Sequence, residues 1–206
     1  MLDLVHAAGF LLLPGDRLSQ AELCAARLDG DVVEIGDAYA PADRVETAHL
    51  RAAAIAGRRG PHSGLAFAGT SAAWIHGAGD APPERHELQL TERRRVRLAS
   101  PHRVLLHERR LPASDTVVLD DVRVACPVRT LVDLARWASR REDALRWALA
   151  LAVARPELLA EAGPRIEQFR GTPGHRTAER LFDRMTRAAL RPLEACQDTR
   201  QDEVTR

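Results

Sequence analysis

The chain has 206 residues, 45% of them hydrophobic, and a formal net charge of +1, enough for one large domain or two small ones around a genuine core. Its longest apolar run, Gly9–Leu13, falls far short of the ~18 residues of a membrane span, and no charged segment precedes it as a secretory signal requires. All 30 basic residues are arginine. Because a guanidinium stays protonated, this excludes phosphate-loop, pyridoxal-phosphate, kinase and common restriction-type nuclease chemistry, each of which needs a lysine.

Cys24, Cys126 and Cys196 are isolated and lack metal-type spacing, which suits a reducing cytoplasm rather than a disulfide framework. In chain order, Leu2 to Phe10 reads as a short helix and Pro14-Gly15-Asp16 as a turn. Ser19 and Glu22 have the spacing of a capping box, Leu18 can staple onto Leu23, and the helix they open should end at Gly30. Val32–Ile35 and Ala38–Ala40 flank a Gly36-Asp37 turn as a small hairpin. A second helix is predicted from Asp43, with Glu46 three residues on, to about Gly57. Helix, helix, hairpin, helix is the order of a compact winged-helix domain with one helix shortened, and equally of a helical cap carrying a hairpin.

Arg58–Ser63 reads as a basic linker and the best domain boundary. Beyond it, Leu65–Ala68 is a candidate strand and Ser71–His76 a short helix closed by Gly77, with Trp74 a core residue rather than a stacking platform. His86–Leu90 alternates like a strand, and Val104–His107, Thr116–Leu119 and Val122–Ala125 complete an expected meander. Pro127 is pre-set for the first turn of a helix in which Val128, Leu131, Val132 and Ala135 form an apolar stripe. Arg129, Asp133 and Arg136 fall on its other side, which reads as a solvated face with weak ion pairs. Ser139 and Glu142 suggest a further capping box, with Ala144, Leu145, Ala148, Leu149 and Ala152 as the buried stripe of the next helix. Pro156–Ala162 should be a short helix stopped by Gly163-Pro164. From about Gly174 to Leu190 the pattern is two-faced: Ala178, Leu181, Phe182, Met185 and Ala189 on one side, Arg176, Arg180, Arg184, Arg187 and Arg191 on the other. Glu179 and Asp183 read as flanking residues, and such a face is either simply solvated or a phosphate-binding or acid-binding surface.

Charge is distributed unevenly. Residues 1–50 carry nine acids against Arg17, Arg27 and Arg44, whereas residues 91–110 carry seven arginines against Glu92 and Glu108. A nucleic acid would favour the second region. Catalytic constellations are missing from the pattern. His86-Glu87 and His107-Glu108 lack a second histidine at zinc-helix spacing, and His102 and His107 fall on opposite faces of a strand. Gly69-Thr70-Ser71-Ala72-Ala73 is not a nucleophile elbow, and no Gly-x-Gly-x-x-Gly follows a strand. No enzymatic activity, metal or cofactor is expected.

Three strings, GTSAAWIHG at 69–77, RHELQLTERRRVR at 85–97 and RVACPVRTLVDLAR at 123–136, together resemble the AbiEi-like antitoxin family of the actinobacterial type. ARLDGDVVEIGDAYAPAD at 26–43 sits where that family keeps the end of its recognition helix and its wing. The resemblance covers roughly residues 18–190. It implies a DNA-binding transcriptional regulator of a type IV toxin–antitoxin system that represses its own operon and pairs with a nucleotidyltransferase-type toxin. Other members continue into a nuclease-like domain near where this chain stops, so the resemblance implies a remnant tail as the expectation for 192–206. Family wings are commonly rich in Arg, whereas this one offers Asp29, Asp31, Glu34 and Asp37.

The expected fold class is α+β: a small winged-helix-like N-terminal domain (1–57), an AbiEi-like domain (64–192) with a mixed or antiparallel sheet, packed helices and a helical C-terminal part, and a flexible tail (193–206). The expected function is a cytoplasmic, antitoxin-like regulator with duplex DNA as partner. Its nucleic-acid contacts would be Gln20 and Arg27, then Arg93, Arg94, Arg95 and Arg97, then Arg176, Arg180, Arg184 and Arg187. The alternative is a protein-interaction module whose degenerate, acidic winged helix binds a partner instead of DNA.

Overall fold

The computed structural model describes residues 7–59, 64–92 and 101–188. Contacts divide the chain into two compact units, Met1–Cys126 and Pro127–Arg206. The class is α+β, as the patterning predicted, and among the described residues no helix is long and apolar enough to cross a membrane. The start of the Leu2–Phe10 helix, residues 60–63 of the linker and the 193–206 tail lie outside the described residues, and Ala7–Phe10 is a single 3-10 turn.

In the first unit, α1 (Gln20–Asp29) opens as its sequence dictates. Ser19 accepts from the Glu22 N–H, and the Glu22 carboxylate accepts from Ser19's backbone N–H at 2.8 Å. Those bonds, the backbone one foremost, hold the exposed Glu22 carboxyl below its usual pKa. Gly30 closes the helix in the left-handed region. β1 (Val32–Ile35) and β2 (Ala38–Pro41) form the predicted antiparallel hairpin, Val33 opposite Ala40. Leu23, Val32 and Tyr39 make a small cluster beneath it, with Leu12, Leu18 and Ala26 packed on its edge.

α2 (Ala48–Ala54) begins later than the sequence suggested. Thr47, not Asp43, accepts from the Leu50 N–H, and Glu46 is drawn off to pair with Arg51. Arg58 belongs to α3 (Ala56–Arg59) rather than to a linker. Its guanidinium grips both carboxylate oxygens of Asp37 at 2.5 Å, so one of the wing's acids is already neutralised.

The main sheet has the order β5-β4-β3-β7-β6, formed by β3 (Leu65–Phe67), β4 (His86–Leu90), β5 (Val104–His107), β6 (Thr116–Leu119) and β7 (Val122–Ala125). It is mixed, not a meander: β4 pairs with β5, and β3 with β7, in parallel, while β3–β4 and β6–β7 are antiparallel. The strand positions are those predicted, but the order is set by pairing that a local pattern does not encode. β4 is also buried on both faces over His86–Gln89 rather than alternating, as a strand covered from both sides is. α4 (Gly69–Ile75) packs on this sheet, and Trp74 is fully buried in the core with Phe67, Leu65 and Leu88. Arg51 lies over the Trp74 ring, 5.1 Å from its centroid, and donates to the Trp74 and Gly79 carbonyls at 2.7 and 3.0 Å.

The second unit is helical. α5 (Pro127–Trp137) packs against both α6 (Glu142–Ala154) and α7 (Leu158–Glu167). Pro127 takes the first helical position, as expected. The Ser139–Glu142 capping box does not form: Arg141 precedes the helix, and Asp143 accepts from the Ala144 N–H at 2.9 Å. Leu149, placed on the buried stripe by its spacing, is 42% exposed. α7 runs through Pro164 instead of stopping there. Leu158, Ala162 and Ile166 are a buried stripe spanning the proline, and packing against α5 offsets the roughly 3 kcal/mol that an interior proline costs. α8 covers 175–188.

The expectation of a solvated arginine face on α5 is overturned. Arg129, Asp133 and Arg136 are all buried, with Phe169, Thr172 and Pro173 of the 168–174 segment against the two guanidiniums. Asp133 accepts from Arg129 at 2.6 Å and from Arg136 at 3.1 Å. Phe169 lies under both guanidiniums, its ring centroid 5.2 and 4.3 Å from them.

Candidate nucleic-acid interface

The expected contact residues fall in three places. Gln20 and Arg27 lie on the first unit's α1. Gln20 is exposed, yet its amide donates to the Tyr39 hydroxyl at 2.9 Å, which ties it to the hairpin core. Arg27 is 55% exposed and sits 3.5 Å from Glu34 of β1, so the wing partly cancels its charge. Asp16, Glu22, Asp29, Asp31 and Glu34 are all exposed around them. Leu28 is 87% exposed and Val33 41%. This surface mixes acids with apolar groups.

Arg93, Arg94, Arg95 and Arg97 lie outside the described residues. Arg176, Arg180, Arg184 and Arg187 are on α8 of the second unit, and all four are exposed. Ala178, Leu181, Phe182 and Met185 are buried on the opposite side, the division that the 3.6-residue period predicts. At about 100° per residue the four arginines fall within roughly one quadrant of the helix. Asp183 falls about 20° outside that quadrant, at its flank, 4.0 Å from Arg187.

Within the strings at 69–77 and 85–97, Thr70, Ser71, His86 and Glu87 turn inward. The Thr70 hydroxyl donates to Glu87 Oε1 at 2.8 Å, and the Thr70 N–H points to the same oxygen at 3.3 Å. His107 Nε2 lies 2.6 Å from the other Glu87 oxygen. Ser71 Oγ accepts from the Glu87 N–H at 3.0 Å and stands 3.2 Å from His86 Nδ1. Gly69 has φ +52, and an added Cβ would come within 2.3 Å of the Glu87 carboxylate, so the close approach requires glycine. The third string joins through His76, whose Nε2 donates to the Ala125 carbonyl at 2.7 Å.

A serine, a histidine and a glutamate within bonding distance have the makings of a nucleophile triad. Here Ser71 is 0% exposed, Glu87 1% and His86 5%, so no substrate atom reaches the hydroxyl. Burial holds the His86 pKa below its usual value, leaving a neutral ring suited to packing. The cluster stitches α4 to β4 and β5. The sequence weighs His86-Glu87 only as a fragment of a zinc-helix motif on an alternating strand, a local pattern that does not reveal that Thr70, Ser71 and His107 converge on it.

The fold and these contacts define a mixed-sheet α+β module whose most regular polar residues secure its interior, with charge displayed on separate outer helices. The AbiEi antitoxin C-terminal domain family matches residues 64–185, more than half of the chain, and the chain belongs to that family. Among solved structures it is similar to the RV2827C protein from Mycobacterium tuberculosis, at 20% identity and a TM-score of 0.44, over 82% of this chain and 66% of that one. The chain therefore spans just under two thirds of that protein's length. No curated protein matches it.

Proposed function

We propose that the chain is an antitoxin-type regulator that binds the duplex DNA upstream of its own operon, represses it, and pairs with a nucleotidyltransferase-type toxin. The observation that carries the DNA reading is the exposed arginine quadrant of α8, with Arg176, Arg180, Arg184 and Arg187 opposite buried Ala178, Leu181, Phe182 and Met185. Phosphate contacts need cations held on a rigid element and open to solvent, and such a helix supplies them. Arg93, Arg94, Arg95 and Arg97 form the second contact group in this reading. Residues 1–57 serve as a winged-helix-like element in which Gln20 and Arg27 are the reading residues, supported by the α1–hairpin packing around Leu23 and Tyr39.

Fluorescence anisotropy with the upstream duplex, across a salt series, tests this. Affinity should fall steeply with salt, with a log–log slope of about −0.9 for each phosphate neutralised. Changing Arg176, Arg180, Arg184 and Arg187 together to Ala should flatten that slope by about 3, and Arg93, Arg94 and Arg95 to Ala by about 2 or more. Unchanged slopes in both variants would remove the DNA reading.

A second reading has its own observation. The α1–hairpin surface exposes Leu28 and Val33 among Glu22, Asp29, Asp31 and Glu34, a combination that repels phosphate and suits a basic protein partner. Co-purification of a stoichiometric protein, lost on Leu28→Asp and without DNA retention, would favour it.

A further inference from the structure

The end of α7 and the first turn of α8 bring three metal-competent side chains together. One donor atom from each of Glu167, His175 and Glu179 lies within 4.8 Å of the others. His175 and Glu179 are one helical turn apart, and His175 Nδ1 stands 3.3 Å from Glu179 Oε2. Two ligand atoms on one tetrahedral ion, each bonded at ~2.0–2.1 Å, are separated by about 3.3 Å. The His175 side chain is 9% exposed, and its buried Nε2 finds no hydrogen-bond partner. The ion would take Nδ1, the nitrogen that faces Glu179, and leave Nε2 as it is. Glu179 and Glu167 are 39% and 48% exposed, and a surface pocket lined by Arg170, Thr172, His175, Arg176 and Glu179 lets solvent reach them.

The loop that carries these residues is fixed from below. Gly174 has φ +83, and a Cβ there would stand 2.2 Å from the Arg136 carbonyl oxygen. Arg136 Nη2 donates to Thr172 Oγ1 at 3.1 Å and to the Pro173 carbonyl at 3.3 Å. The start of α8 thus follows a held backbone.

We propose that Glu167, His175 and Glu179 bind one divalent transition-metal ion of the zinc class. The mixture of imidazole and carboxylate selects zinc, cobalt or nickel over magnesium and calcium, which favour all-oxygen shells. Two carboxylates and a neutral imidazole balance a 2+ charge, and the fourth position is left to water. Arg170 competes for the site, since it donates to Glu167 Oε2 at 2.6 and 3.0 Å, so the ion takes Glu167's other oxygen or displaces the guanidinium. Binding clamps the start of α8 to the end of α7 and orders the helix that carries the exposed arginines. The pattern predicted no metal because Glu167 joins the helix pair only through the loop closure.

Equilibrium dialysis of the chelator-stripped full chain against Zn²⁺, with Co²⁺ absorption as a second probe, tests the proposal. One ion per chain, the visible bands of four-coordinate Co²⁺, and a Tm that rises with zinc are expected. Loss of a mere orienting partner weakens a metal site about 10–100-fold, so Glu179→Gln and Glu167→Gln, at half-exposed positions, should each lose at least that much while keeping the wild-type metal-free Tm. Arg170→Ala, which frees Glu167, should bind as tightly or more tightly. The proposal is overturned if the wild type takes up no stoichiometric zinc or if both Gln variants bind unchanged. It is equally overturned if Arg170→Ala loses as much affinity as they do.

Discussion

α5 and α8 are written in the same way, with an apolar stripe at helical spacing and arginines on the other side, yet they use those arginines oppositely. On α5, Arg129 and Arg136 are 4% and 7% exposed, share Asp133, and rest on Phe169. On α8, Arg176, Arg180, Arg184 and Arg187 face solvent. The periodicity of a helix says which residues share a face; the elements that later close over that face decide whether it meets water. A buried guanidinium must have its counter-charge and donors matched in place, because desolvating it alone is prohibitive. An exposed one is free to meet an outside anion.

That contrast predicts a ranking of effects. Asp133→Ala should be the most damaging, since it leaves two buried guanidiniums without their shared carboxylate; breaking a buried pair costs about 3–5 kcal/mol. Urea unfolding of the full chain measures it, and Asp183→Ala on α8 serves as the control, with a shift under about 0.5 kcal/mol. A loss below about 1 kcal/mol at Asp133 would erase the distinction between the helices. Gly174→Ala should come next, at about 2–3 kcal/mol, because it forces both an unfavourable φ and a clash with the Arg136 carbonyl. Phe169→Leu keeps the apolar bulk but removes the ring from beneath Arg129 and Arg136. Desolvated cation–π contacts are worth about 2 kcal/mol or more, and leucine retains part of the apolar contact, so a thermal scan should show a loss of about 1–2 kcal/mol.

The parts of this fold that a reader of the sequence could place are those set by neighbours along the chain. The Ser19–Glu22 cap, the hairpin, the five strands of the sheet, Pro127 at its helix start and Trp74 in the core all depend on a few adjacent residues or on a short period. The misjudged parts depend on distant ones. β3 inserts between β4 and β7, α7 continues past Pro164 because α5 packs on it, and Thr47 outcompetes Asp43 as a cap once Glu46 pairs with Arg51. The burial of Glu87 and of Arg129 follows the same rule, since nothing within five residues of either reveals what covers it. Of the candidate contact residues, the sidedness of α8 was legible for Arg176, Arg180, Arg184 and Arg187. The partial cancellation of Arg27 by Glu34 required the hairpin to fold back on α1.

The smallest effect should come from Arg180→Ala, and its sign is informative. Arg180 has Arg176 and Arg184 one turn away on either side, and like charges at that spacing destabilise a helix by about 0.2–0.5 kcal/mol per pair. Alanine relieves both repulsions, so the variant should be unchanged or more stable by up to about 1 kcal/mol at low salt. Exposed charges are screened within about 3 Å at 1 M salt, so the gain should vanish there. The loss from Asp133→Ala, made in a dry interior, should persist. Unfolding both variants at low and high salt separates the two kinds of arginine by their response to ions, independently of any partner. If Arg180→Ala instead destabilises the chain by more than about 1 kcal/mol at both salt concentrations, its guanidinium has a structural role like that of Arg129. The outer face of α8 would then be part of the scaffold and not a surface left open for an anion.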